Sequence, residues 1–93
     1  MSEVEVEVEE TANSVNLQLP TFWLQQPKVW FAQAEAQFTL RNITEEDAKY
    51  YYVIAALDQL TAVRVVDIIQ TKPIDTPFMT LKNRLLRIFD LSD

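Results

Sequence analysis

The 93 residues hold 48% hydrophobic and 24% charged side chains, the proportions of one small globular domain rather than of a disordered chain. The chain has no Cys and no His, which excludes thiol catalysis, a Ser-His couple, a zinc knuckle and a disulfide framework. Of the net charge of −6, Glu3, Glu5, Glu7, Glu9 and Glu10 contribute −5, so the rest, with nine acids and eight bases, is nearly neutral.

Residues 1–14 read as an acidic tail without fixed structure, ahead of a helical domain over residues 15–93. The tract EVEVEVEE at 3–10 alternates with period two, which also suits an edge strand with valines on one face. Five like charges and a thin apolar face favour the solvated tail. Residues 15–20, VNLQLP, alternate as well, with Val15, Leu17 and Leu19 on one side. An extended segment docked on the helices fits that pattern, and its open edge could pair with another chain.

The densest apolar stretch is Leu19–Phe38, LPTFWLQQPKVWFAQAEAQF, which holds both tryptophans and three of the five phenylalanines. Phe22 and Trp23 form a proline-flanked arm that should fold back on the aromatic-faced helix after it. Pro27 suits the first turn of a helix, and Trp30, Ala34 and Phe38 recur at i, i+4, i+8. Helix one is predicted over residues 27–40. Asn42 tolerates the left-handed conformation best in a chain without glycine, and so ends it.

Thr44 is the predicted cap of helix two, with Glu45, Glu46 and Asp47 in its positive first turn. Tyr50, Val53, Ile54 and Leu57 follow the spacing of a buried stripe, which Leu60 extends; Tyr51 and Tyr52 fall to its sides. Thr61 reads as a fresh cap, opening helix three at Ala62–Gln70 with Val65, Val66 and Ile69 inward. Its β-branched run would equally suit a strand, but the spacing does not alternate. After a loop with two prolines, Thr76 caps and Pro77 starts helix four, which runs to about Phe89. Phe78, Leu81, Leu85 and Ile88 line its inner face; Lys82, Arg84 and Arg87 make its outer side positive. The fold class is therefore all-α: a small bundle of about four helices with an extended N-terminal arm. The expected core is Trp30, Ala34, Phe38, Tyr50, Val53, Ile54, Leu57, Val66, Ile69, Leu81, Leu85 and Ile88. Some 80 ordered residues give roughly 4–12 kcal/mol of stability.

Chemistry is hard to find in these residues. Glu45, Glu46 and Asp47 sit at a helix start, where capping explains them better than acid–base work. Asp58, Asp67 and Asp75 lack calcium-loop spacing, and no phosphate cradle can be built without glycine. The chain is expected to be no enzyme and to hold no metal or cofactor. A neutral body has no basic stripe for phosphates, so no nucleic-acid partner is expected of it. No apolar run reaches the roughly 20 residues that cross a bilayer, and Met1 opens no signal sequence, so an intracellular, cytoplasmic protein with no membrane partner is expected. The aromatics remain. Trp23, Phe31, Tyr51, Tyr52 and Phe78 exceed what one stripe per helix needs, and either complete the core or face a partner.

LPTFW, Pro27 with WFAQAEAQF, Ile43, KYYYVIAALD, Val66-Asp67-Ile68-Ile69 and LKNRLLRIF, in that order, resemble the N-terminal capsid lobe of Gag from gypsy-like long-terminal-repeat retrotransposons. The likeness covers Val15 to Asp93, and Arc proteins are similar to the same family. It implies an all-helical lobe that self-associates into shells or virus-like particles, from a retrotransposon or a domesticated Gag gene. By similarity to Arc it also implies a hydrophobic groove that takes short peptides. The alternating segment and the surplus aromatics give the candidate protein or peptide interface: Val15, Leu17, Leu19, Phe22, Trp23, Phe31, Tyr51, Tyr52 and Phe78. Gln26 departs from the acidic residue usual before the proline, which weakens the first cap. The sequence ends at Asp93, before a second lobe or an RNA-binding knuckle, so RNA binding is not carried over.

Overall fold

Pro27 at the first turn and Asn42 just past the last bound the first helix, α1, at Pro27–Leu40. The structure, a computed structural model, describes residues 17–90; the acidic tail and Val15 lie outside them. Asn42 takes φ 59. Its amide donates to Thr39 O at 3.2 Å and that of Ile43 to Phe38 O at 2.8 Å, the pair of bonds that closes a Schellman motif. Ile43 and Phe38 are both buried there, supplying the apolar contact that goes with it. At the other end Gln26 gives no side-chain cap among the described residues, in line with its departure from an acidic residue.

Four more helices follow: α2 at Glu46–Ala55, α3 at Gln59–Arg64, α4 at Val66–Gln70 and α5 at Pro77–Phe89. The described residues are all-helical with no strand, so the predicted class holds with one helix more than expected. α2 and α1 both pack on α5, and α3 joins α4.

The extra helix comes from the predicted third one, which begins earlier and breaks. Asp58, not Thr61, is the cap: its Oδ1 accepts the Thr61 amide at 2.9 Å, and Thr61 itself is buried. Aspartate caps at least as well as threonine, and it stands three residues ahead. At Val65 the backbone leaves the helix at φ −126, ψ 30, separating α3 from α4. The buried side chains are Thr61, Val65 and Ile68, so the predicted inward Val66 is corrected: it is exposed. Both sets have helical spacing, and neighbours decide between them. Tyr50 Oη on α2 donates to Ile68 O at 2.7 Å, an otherwise orphan carbonyl of a five-residue helix.

Two further caps differ from expectation. α2 starts after Glu45, whose side chain makes no capping bond among the described residues, so Thr44 is not its cap. Thr76 precedes Pro77 at the start of α5 as expected, but at φ 39, ψ 60 and with no side-chain cap bond. That left-handed conformation strains a β-branched residue by roughly 1–3 kcal/mol. The cap comes from another helix: Glu46 Oε1 accepts the amides of Phe78 at 3.0 Å and Met79 at 3.2 Å. One carboxylate thus ties the first turn of α2 to the first turn of α5.

Candidate functional site

The arm does fold back on α1. Trp30 Nε1 donates to Pro20 O at 3.0 Å, and the Phe22 amide donates to Ala56 O at 2.9 Å. Phe22 then meets the Trp30 ring edge-on at 5.1 Å and Phe31 at 5.8 Å. Phe31 touches Phe78 at 6.2 Å and Phe78 touches Phe38 at 5.8 Å, so the rings form one continuous edge-to-face chain through the core.

That chain corrects part of the expected interface. Leu19, Phe22, Phe31 and Phe78 are buried in the core, and what they offer a partner is at most the floor of a surface groove. Each is needed to close the space between the arm, α1 and α5, and aromatic residue types alone do not separate that duty from partner binding. Leu17 and Tyr52 are half-buried, while Trp23 and Tyr51 remain exposed at 37% and 56%. Of the expected core, Ile54, Leu57, Ile69 and Ile88 are only half-buried, packed at its rim.

Between arm residues 17–20 and α1 runs a groove of about 390 Å³. Leu17, Leu19, Pro20, Trp30 and Ala34 contribute to its walls, with Gln18, Gln33 and Gln37 among the polar groups and Arg41 as the one charge. Amides and a guanidinium can hold an extended backbone by hydrogen bonds, and they offer no group to move a proton at neutral pH. Of the residues expected beside a peptide groove, Leu17 and Leu19 lie here, Val15 falls outside the described residues, and Trp23, Phe31 and Phe78 are not in its walls; Gln33 and Gln37 on α1 and Arg41 just past it were not among those expected. Their spacing of about one turn along α1 was the available signal.

Elsewhere four ion pairs tie the elements together. Lys82 reaches Glu35 at 2.6 Å, Arg84 reaches Asp67 at 3.2 Å, Lys28 reaches Asp90 at 3.1 Å and Lys72 reaches Asp47 at 2.9 Å. Two of the three bases on the outer side of α5 are therefore paired with acids. Lys82 also lies over the Phe31 ring at 5.9 Å and Lys49 over Phe78 at 5.6 Å. Burial, with Tyr51 adding to it, pushes the Tyr50 phenol up from its ordinary range, as suits a buried hydrogen-bond donor. Among the described residues no group of His, Cys, Asp and Glu stands ready to hold a metal ion, and no helix is long and apolar enough to cross a membrane.

Residues 19–93 match a family described as Domain of unknown function (DUF7041). The chain belongs to it. In this DUF7041 domain the match begins at Leu19, so Leu19, Pro20 and Phe22 of the arm lie inside the family's unit, and Leu17, Gln18 and the glutamate-valine tract lie outside it. Neither the curated proteins nor the solved structures contain a match to the chain.

Proposed function

We propose that this chain is a structural domain of the Gag capsid type, an N-terminal lobe whose work is to touch other copies of itself. The observation that supports the reading most is the ordered set of blocks, from LPTFW to LKNRLLRIF. The aromatic blocks among them form one helical body with the arm docked against α1. Exposed apolar side chains on α3 and α4, at Leu60, Val63 and Val66, agree with a surface meant for protein. The domain acts without cofactor or metal, as a non-enzymatic building block in the cytoplasm or in virus-like particles, and contacts no nucleic acid through this segment.

The test is assembly. Raising protein and phosphate-salt concentration screens the net charge and strengthens apolar contact, and should produce particles or extended oligomers visible by electron microscopy. A chain that stays dispersed under every condition speaks against a shell-forming role. The groove beside residues 17–20 favours a second reading, an Arc-like module for short peptides. In that case a peptide library titrated against tryptophan fluorescence gives saturable binding, because Trp30 forms part of the groove wall. Fluorescence unchanged by any peptide removes this alternative.

A further inference from the structure

The groove beside residues 17–20 has apolar walls and glutamine amides, holds no carboxylate, and carries Arg41 as its one charge. Pro20 sits at Trp30, and the groove continues along α1 past Gln33 and Gln37 to Arg41. The arm therefore runs against the helix direction, with Leu17 toward Arg41. Among the described residues no backbone hydrogen bond engages Leu17, Gln18 or Leu19, which leaves an extended edge open to a second strand. We infer that this strand is the chain's own Glu5–Glu10: the acidic tract folds back beside the arm and closes the groove within the same molecule. The inference concerns the groove of the second reading above, but it needs no foreign peptide.

Register, charge and tether select that occupant. Residues 11–14, TANS, join the tract to the arm, and Asn and Ser suit a turn. A loop over those residues sets Val8 opposite Leu17 and Val6 opposite Leu19, apolar against apolar. Because side chains alternate along a strand, the valines then share the face of the buried Leu19, and Glu7 stands across from the neutral Gln18. The same register puts Glu5 opposite Pro20, at Trp30. From Trp30 to Arg41 the helix direction covers roughly 16 Å, about five strand residues, which brings Glu10 level with Arg41. Glu10 also occupies the place on the valine face where the alternation would put another valine, so its carboxylate points the same way. Among the described residues the Arg41 guanidinium is engaged only through Nε, by Gln37 Oε1 at 3.5 Å, and its terminal nitrogens can take a carboxylate. A two-stranded ribbon alone is marginal in water, but here one strand is already pinned to α1. The short tether holds the tract at an effective concentration on the order of millimolar, so a small contact area suffices. The tract read by itself favours a solvated tail because its valines have nothing to face; the docked arm and Arg41 supply a face and a counter-charge.

Nuclear magnetic resonance of the full chain in dilute solution tests this. Nuclear Overhauser contacts should connect the methyls of Val6 and Val8 with those of Leu17, Leu19 or Ala34. Alternate amides among residues 17–19 should exchange with solvent roughly tenfold more slowly than in the double variant Val6→Ser with Val8→Ser. Glu10→Lys should lose the same protection, and Glu10→Lys with Arg41→Glu should recover it. Valine methyls without contact to the arm or α1 overturn the closure, and so do amides at 17–19 that exchange equally fast in the unsubstituted chain and the serine variant. Protection that Glu10→Lys leaves unchanged overturns the register. Contacts found only between differently labelled chains in a mixture assign the tract to a second copy and overturn the intrachain closure. All of this is read without added peptide, so a failed peptide titration removes the second reading and leaves these contacts standing.

Discussion

Trp30 joins the arm to the body in two ways. Its indole N–H holds Pro20 O, and its ring meets Phe22 and, at 5.0 Å, Phe31. Replacing it with alanine removes a fully buried aromatic and leaves its neighbours facing a void. Trp30→Ala should therefore cost about 3–5 kcal/mol, a large part of the roughly 4–11 kcal/mol expected of 74 described residues. Urea denaturation reads this directly: a midpoint close to that of the unsubstituted chain would mean the indole is not a core group. Trp30 was legible because its i, i+4, i+8 partners are unambiguous. Phe31 and Phe78 were not, since a ring with apolar faces suits a core or a groove equally until its neighbours are placed.

At the scale of elements, punctuation decided what could be read. α1 and the start of α5 carry Pro27 and Pro77 in their first turns, and Asn42 supplies the left-handed exit that glycine usually gives. Between Asp58 and Gln70 the pattern points to Thr61 as cap and to Val66 as inward, because neither the earlier cap at Asp58 nor the break at Val65 is marked by a proline or a left-handed residue. The bond from Glu46 to the amides of Phe78 and Met79 spans more than thirty residues, beyond any local pattern. Glu46→Ala should remove it at a cost of about 1–2 kcal/mol. It should also speed hydrogen exchange at those two amides; exchange that does not change would mean α5 is capped by something else.

α3 gives a dependence on pH. The Thr61 hydroxyl beside Asp58, and then the Thr61 amide bonded to it, hold that carboxyl below its ordinary range. A carboxylate with a lowered folded-state pKa stabilises the fold above its unfolded value, near 4, and that stability is lost as pH falls through the folded value. Asp58→Ala should then melt below the unsubstituted chain at pH 7, and the gap should narrow once pH drops below about 4. A gap of constant width down to the most acid pH would mean that ionisation of Asp58 contributes nothing.

For the whole molecule, the interior is closed by rings and the outside is nearly charge-balanced, with exposed apolar side chains spread over it, among them Leu40, Tyr51, Leu60, Val63 and Ile74. The all-helical class followed from spacing alone. The groove did not, because its walls come from an extended segment and a helix whose relative placement depends on long-range contacts: the Trp30 indole N–H on Pro20 O, the Phe22 amide on Ala56 O and the Phe22 ring against Trp30. The exposed Leu60, Val63 and Val66 leave apolar surface open on α3 and α4, which the self-association proposed above would cover. Small-angle X-ray scattering of the unsubstituted chain in low and high phosphate, from about 10 μM to about 1 mM, weighs this most plainly. A forward-scattering mass that climbs with concentration, and climbs further in high phosphate, is the expected outcome. The mass of a single chain at every concentration and in both buffers would rule the building-block role out.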